Sequence, residues 1–109
     1  MITRFAFFEG KVVGDVAEFR RRVLEEMVQT WTAFPGAAAV RVMFPESWDE
    51  GAPEYAVILE TDYPDEAALQ SALDSQERLD SRAATQKWLL PMFEGKIHHH
   101  ITYATAFAV

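Results

Sequence analysis

Glu54-Tyr55-Ala56-Val57-Ile58-Leu59-Glu60-Thr61-Asp62 is followed at once by Tyr63-Pro64-Asp65-Glu66-Ala67-Ala68-Leu69-Gln70-Ser71-Ala72-Leu73-Asp74-Ser75. The first half is rich in β-branched and aromatic residues and reads as a strand. In the second half Pro64 suits a first helical turn, and Asp65 and Glu66 favour the positive end of a helix dipole. Ala67, Ala68, Leu69, Ala72 and Leu73 continue that helix. A strand running directly into a helix here settles how the flanking elements must be ordered.

Upstream, Ala38 to Phe44 carries Val40, Val42 and Phe44 in alternation, a second strand. The polar, turn-rich stretch Pro45 to Pro53 separates the two and contains Trp48. The two strands are expected to form a hairpin with a long connection. Further upstream, Val16, Phe19, Val23, Met27, Trp31 and Phe34 recur at spacings of three and four, the buried face of one helix. Asp15 with Glu18 resembles a capping box at its start, and Pro35-Gly36 stops it. Glu18 with Arg22, Arg21 with Glu25 and Arg22 with Glu26 support its wet side. Ile2 to Phe8 precedes it as a strand, with Gly10 and Gly14 permitting turns. Downstream, Ser75 caps a further helical segment to about Leu90, with Leu79, Ala83 and Leu90 along one side. Pro91 and Gly95 end it. Ile97 to Tyr103 is the last strand, and it holds all three histidines of the chain.

The order is β-α-β-β-α-β, the α+β, ferredoxin-like split arrangement. It predicts a four-stranded antiparallel sheet with helices on one face only, in a single domain spanning 1–109. The other face must be solvated or buried against something.

Strand alternation sorts residues between the faces. Phe5, Phe7, Val40, Val42, Tyr55, Val57, Leu59, Ile97, His99, Ile101 and Tyr103 fall in the set expected under the helices. Ile2, Arg4, Ala6, Phe8, Arg41, Met43, Ala56, Ile58, Glu60, His98 and His100 fall in the set expected on the open face. That second set mixes apolar groups with charges, as the wall of a ligand chamber does. Two such faces meeting in a dimer would enclose one.

Composition excludes several functions. The net charge of −7 and the lack of a dense Lys/Arg patch argue against nucleic acid and against an anionic membrane surface. No cysteine is present, so disulfides and thiolate chemistry are ruled out. No apolar run approaches the ~20 residues that span a bilayer, and the first residues lack a signal-peptide pattern. A cytoplasmic protein is expected. No phosphate-binding loop, nucleotide fingerprint, Ser-His-Asp arrangement or zinc signature is visible.

The element order, Phe19 to Gly36 with its Phe34-Pro35-Gly36-Ala37 ending, Glu54 to Glu60, and the acidic turn and short helix of Tyr63 to Ser75 together resemble the EthD-like family of dimeric α/β barrels. The resemblance implies a homodimer whose sheets pair face to face around a small-molecule cavity. Related α/β-barrel families include cofactor-free monooxygenases, polyketide cyclases, lactone isomerases and haem enzymes. Many EthD-like proteins carry a His-x-Pro pattern in the first helix. The corresponding stretch here is Met27-Val28-Gln29, so a role for that histidine does not carry over.

The resulting expectation is a small catabolic or secondary-metabolic protein that takes an apolar or aromatic, carbonyl-bearing compound. His98 and His100 are the candidate acid and base. Arg4 and Arg41 are candidates to hold an oxyanion or carboxylate. Glu60 would orient an imidazole, while Met43, Ile58 and Trp48 would line or cap the chamber. The chemistry would be isomerisation, cyclisation or cofactor-free oxygenation. The rival readings are ligand binding without chemistry and a purely structural dimer. No cofactor is called for. A metal on His98 and His100 would find only Glu60 as a third ligand, and a haem would need an axial histidine that the sequence does not locate.

Overall fold

The computed structural model describes residues 1–109. Strand β1 (Ile2–Val12) leads into α1 (Val16–Arg22), a π-helical turn (Val23–Met27) and α2 (Val28–Trp31). Then come β2 (Ala39–Met43), β3 (Tyr55–Tyr63), α3 (Glu66–Leu73), α4 (Gln76–Trp88), a 3-10 turn (Leu90–Met92) and β4 (Phe93–Tyr103). The strands form one antiparallel sheet in the order β2-β3-β1-β4. The expected β-α-β-β-α-β order is therefore the observed one. No helix is long and apolar enough to cross a membrane.

The helix starts follow from their caps. Asp15 accepts from the Ala17 N–H at 2.9 Å, Asp65 from Ala68 at 2.8 Å and Ser75 from Arg78 at 3.3 Å. Asp65 is itself the cap of α3, so Pro64 lies just before the helix rather than in its first turn. Glu18 does not close a capping box. Its carboxylate is taken by Arg21 at 2.7 Å and Arg22 at 3.2 Å. Arg21 also reaches Glu25, but Arg22 donates to the Trp88 carbonyl at 2.9 Å instead of pairing with Glu26.

Phe19, Val23, Met27 and Trp31 form the spine of the core, each at most 2% exposed. Their constant spacing of four is too long for a straight α-helix. At 3.6 residues per turn the line would drift by about 120° between Phe19 and Trp31. The π-helical turn, in which the Val28 N–H donates to Val23 O, absorbs one residue and removes most of that drift. The tight spine then packs on Phe8, Val57 and Leu59 of the sheet. Val16, expected on this spine, is about half exposed.

Three expectations about the strands are corrected. First, β1 and β4 are longer than the sequence suggested, because Gly10 and Gly95 lie opposite each other within the ladder rather than in turns. A Cβ at Gly10 would stand 2.2 Å from the Glu94 carbonyl oxygen, and one at Gly95 2.1 Å from that of Glu9. Only glycine lets the two backbones approach this closely.

Second, the faces of β1 are reversed. Ile2, Ala6 and Phe8 are buried under the helices, so Arg4 also points to the helix side. Phe5 and Phe7 share the open face with His100 and His98, their direct partners in β4. Third, a register shift between Phe8 and Glu9 produces a bulge in β3. At this bulge the consecutive Ala56 and Val57 are both buried. Tyr55 is carried round to within 5.5 Å of the Phe7 ring on the open face, not under the helices as expected.

Candidate functional site

The site on the helix side is created by what α4 fails to supply. A helix covering a sheet should present apolar groups at intervals of three and four. The stripe of α4 that borders the space over Arg4 and His99 is Arg78, Ser81, Arg82 and Thr85, while Ala84 and Trp88 pack on the core and Leu79 is 54% exposed on another side. The expected apolar side through Leu79 and Leu90 is therefore split, with Leu90 at the cavity and Leu79 turned away from it. Small Ser81 and Thr85 cannot fill the space over the sheet, and long Arg78 and Arg82 reach along its margin.

A cavity of about 450 Å³ results. Its floor is Ala6, Phe8, Leu59 and Ile97, and Trp31 and Phe34 close the side towards α2. The Trp31 indole N–H donates to Ser81 Oγ at 3.2 Å, which fixes the ring as a wall. Arg4 and His99 enter from the sheet and Arg78, Arg82 and Gln86 from α4.

His99 lies opposite Ala6 in the ladder, where the small methyl leaves the imidazole room to face the cavity. Burial first, then the charges of Arg4 and Arg78 and the neighbouring His98, bring its pKa from 6.5 down to about 4. Although His99 counts as exposed along the free edge of β4, its ring is held neutral at pH 7 by this cationic, partly desolvated setting. Arg4 is itself held below its ordinary value, by burial first and by Arg78 second.

On the opposite face lie most of the residues the sequence singled out. Phe5 and Phe7 stack at 5.5 Å, and the rings of His98 and His100 stand 5.4 and 5.1 Å from Phe7. His98 Nε2 is 3.2 Å from Glu9 Oε1, so Glu9 and not Glu60 orients an imidazole. Glu60 pairs with Arg41 at 3.5 Å. Met43 is opposite Ile58, which is in turn opposite Phe7. Thus His98, His100, Arg41, Glu60, Met43 and Ile58 share one face, whereas Arg4 lies on the other side of the sheet. Trp48 belongs to neither group. It is half exposed in the loop after β2, beside a shallow groove with Val12, Val16 and Arg20. No three His, Asp or Glu side chains converge as a metal cluster would require.

Sequence reasoning missed Arg78, Ser81, Arg82 and Thr85, and placed His99 packed under a helix or near an edge; it stands on the edge strand β4. The available signal was the 78-81-82-85 spacing, a polar stripe on a capped helix that has a sheet to cover.

Fold and cavity define an α+β, ferredoxin-like protein with a ligand-sized space between sheet and helices. The chain has the fold of an ethyl tert-butyl ether D (EthD) family protein from Bacillus halodurans, at 18% identity and a TM-score of 0.76, over 96% of this chain and 99% of that one. It is also similar to a dimeric ferredoxin-like protein of unknown function from Thermobifida fusca, at 16% identity and a TM-score of 0.68, over 94% and 90% of the two chains. SnoaB, a cofactor-independent oxygenase from Streptomyces nogalater, aligns at 18% identity and a TM-score of 0.64 over 97% and 94%. The EthD-like resemblance of the sequence thus holds at the level of the fold. No protein-family model and no curated protein matches the chain.

Proposed function

We propose that the chain binds an apolar, carbonyl-bearing small molecule in the cavity between sheet and α4, and moves a proton on it without a cofactor. The observation that carries this reading is the cavity itself. About 450 Å³ is bounded by aromatic and aliphatic walls, with a neutral imidazole and guanidinium groups along its margin. A proton leaving the carbon beside a carbonyl would pass to a free nitrogen of His99. The electron pair would move to the carbonyl oxygen, and Arg4 and Arg78 would stabilise the enolate. Its return at another carbon gives an isomer. The similarity in fold to a cofactor-independent oxygenase supports small-molecule chemistry of this general kind.

The open face serves a different purpose in this proposal. Phe5, Phe7, Ile58 and Met43 give it an apolar centre, and a second copy of the chain covers it. The dimeric state of a similar protein supports that assembly. A second reading places the chemistry there, with His98 and His100 as base and acid between two protomers. The contact of His98 with Glu9 favours it, since a carboxylate fixes the ring's orientation.

Deuterium uptake from D₂O beside the carbonyl of aromatic ketones, followed by NMR, separates these readings. Exchange abolished in His99→Ala and retained in the His98→Ala/His100→Ala double variant is expected. The reverse pattern moves the chemistry to the open face. Saturable binding without exchange in the unmodified chain leaves a carrier and removes the enzyme.

A further inference from the structure

We propose that the ligand of this cavity is an anion, a planar aromatic carboxylate or equivalent oxyanion whose charge is met by Arg4, Arg78 and Arg82. The inference rests on the cavity being a binding site and adds the class of molecule it selects.

The chain has seven arginines and seventeen acidic residues, so carboxylates are in excess. Four arginines are paired within the chain: Arg20 with Glu46, Arg21 with Glu18 and Glu25, Arg22 with Glu18, and Arg41 with Glu60. The three that line the cavity have no carboxylate within 4.0 Å. Arg78 donates to the Leu73 carbonyl at 3.2 Å, which leaves the rest of its donor fork free. Although acidic residues outnumber basic ones in the chain, none stands against these three groups. Gathering like charges against a partly buried imidazole is unfavourable in the empty protein, and it becomes favourable only when a negative group arrives.

A diffuse anion attraction does not account for this pattern, because the molecule as a whole carries −7 and repels anions. Three guanidinium groups without a carboxylate partner gather instead at the cavity margin. Guanidinium groups match a planar carboxylate by paired parallel hydrogen bonds. Phe8, Trp31 and Phe34 supply flat apolar surface for the body of the ligand. A volume of about 450 Å³ accommodates a molecule of two or three fused rings.

The test uses 2-naphthoate and its neutral counterpart 2-naphthamide, titrated into the full chain at low salt and followed by the Trp31 indole N–H resonance. Naphthoate should bind about tenfold more tightly than the amide, the scale of one charge-assisted bidentate contact. Arg4→Met and Arg78→Gln should each remove most of that preference. Arg21→Gln, on the outer side of α1, should leave both affinities as they were. Equal affinity for the two probes overturns the anion proposal and leaves the cavity reading intact. No response of Trp31 to either probe overturns both. A preference for naphthoate that survives the Arg4 and Arg78 substitutions overturns the assignment of the charge to these arginines.

Discussion

Arg4→Met should make the protein more stable, which is the opposite of what removing a half-buried arginine ordinarily does. Opposite Arg4 in the ladder stand Thr61 and Ile101, neither of which carries a charge. No carboxylate neutralises it, and Arg78 lies close enough to push its pKa down. For two like unit charges Coulomb's law at an effective dielectric of about 20 gives at most about 4 kcal/mol of repulsion, the value at about 4 Å. The cavity is open to solvent, so screening reduces this to about 1 kcal/mol. Methionine keeps an unbranched stem of similar reach, so packing on Ala6 and Leu59 changes little. Urea unfolding at about 50 mM NaCl should therefore show the variant about 1 kcal/mol more stable, with the gap narrowing at about 500 mM. If Arg4 instead anchored a structural polar network, its loss would cost about 3–5 kcal/mol. Destabilisation of that size would refute the account of the cavity as an uncompensated cationic site.

Three further outcomes are expected. The imidazole of His99 takes up its proton near pH 4 in the folded chain and near 6.5 when unfolded, so protonation favours the unfolded state in that window. Stability should fall as the pH drops from about 6.5 to about 4 and be flat above. After discounting for the open edge of β4, this contributes about 1 kcal/mol. Urea midpoints at pH 7 and pH 5 should separate less in His99→Gln than in the unmodified chain, and an identical separation would contradict the assigned shift. Gly10→Ala should cost about 3 kcal/mol, because its Cβ would meet the Glu94 carbonyl and its φ is +148°. A change in denaturation midpoint worth less than about 1 kcal/mol would mean the two strands are further apart than described. Sedimentation should give a dimer for the unmodified chain and a monomer for Phe5→Lys/Phe7→Lys, since two charges then face the partner's apolar centre. A monomeric unmodified chain would remove the proposed assembly.

The parts of the fold legible in the sequence were those where independent signals agreed. Asp15 and Ser75 each stand where a cap is read and each caps its helix, whereas the cap of α3 is Asp65, one residue beyond the Pro64 read into its first turn. The Phe19-Val23-Met27-Trp31 spine was legible from spacing alone, although its steady interval of four concealed the π-helical turn that makes it work. The faces of β1 were not legible, because both are apolar. Ile2, Ala6 and Phe8 alternate with Phe5 and Phe7, so hydrophobicity gives no preference. The rule that charges avoid the core would turn Arg4 outward. That rule fails here for a physical reason: the helix-side space next to Arg4 is a cavity and not dry packing. A bulge in β3 then shifted Tyr55, and bulges leave little trace in alternation when residues on both sides are apolar.

The histidine run shows what the error about β1 concealed. Three consecutive residues on a strand cannot belong to one site, because alternation sends the middle one to the opposite face. His98 and His100 look out with Phe7 and Glu9, while His99 looks into the space made by the polar stripe of α4. With β1 in its observed orientation, the open face gives up Ile2, Arg4, Ala6 and Phe8 and takes Phe5 and Phe7. It becomes more suited to association and less suited to holding an oxyanion. The helix side gains an arginine beside a neutral imidazole. Burial is the larger cause of the low His99 pKa, and an anion there would offset the smaller share due to Arg4 and Arg78, making the ring a stronger base once its ligand has arrived. A rise in the His99 pKa on saturation with naphthoate, read from its ring-proton shifts, is the expected sign. An unchanged value would mean that the anion does not sit among these arginines.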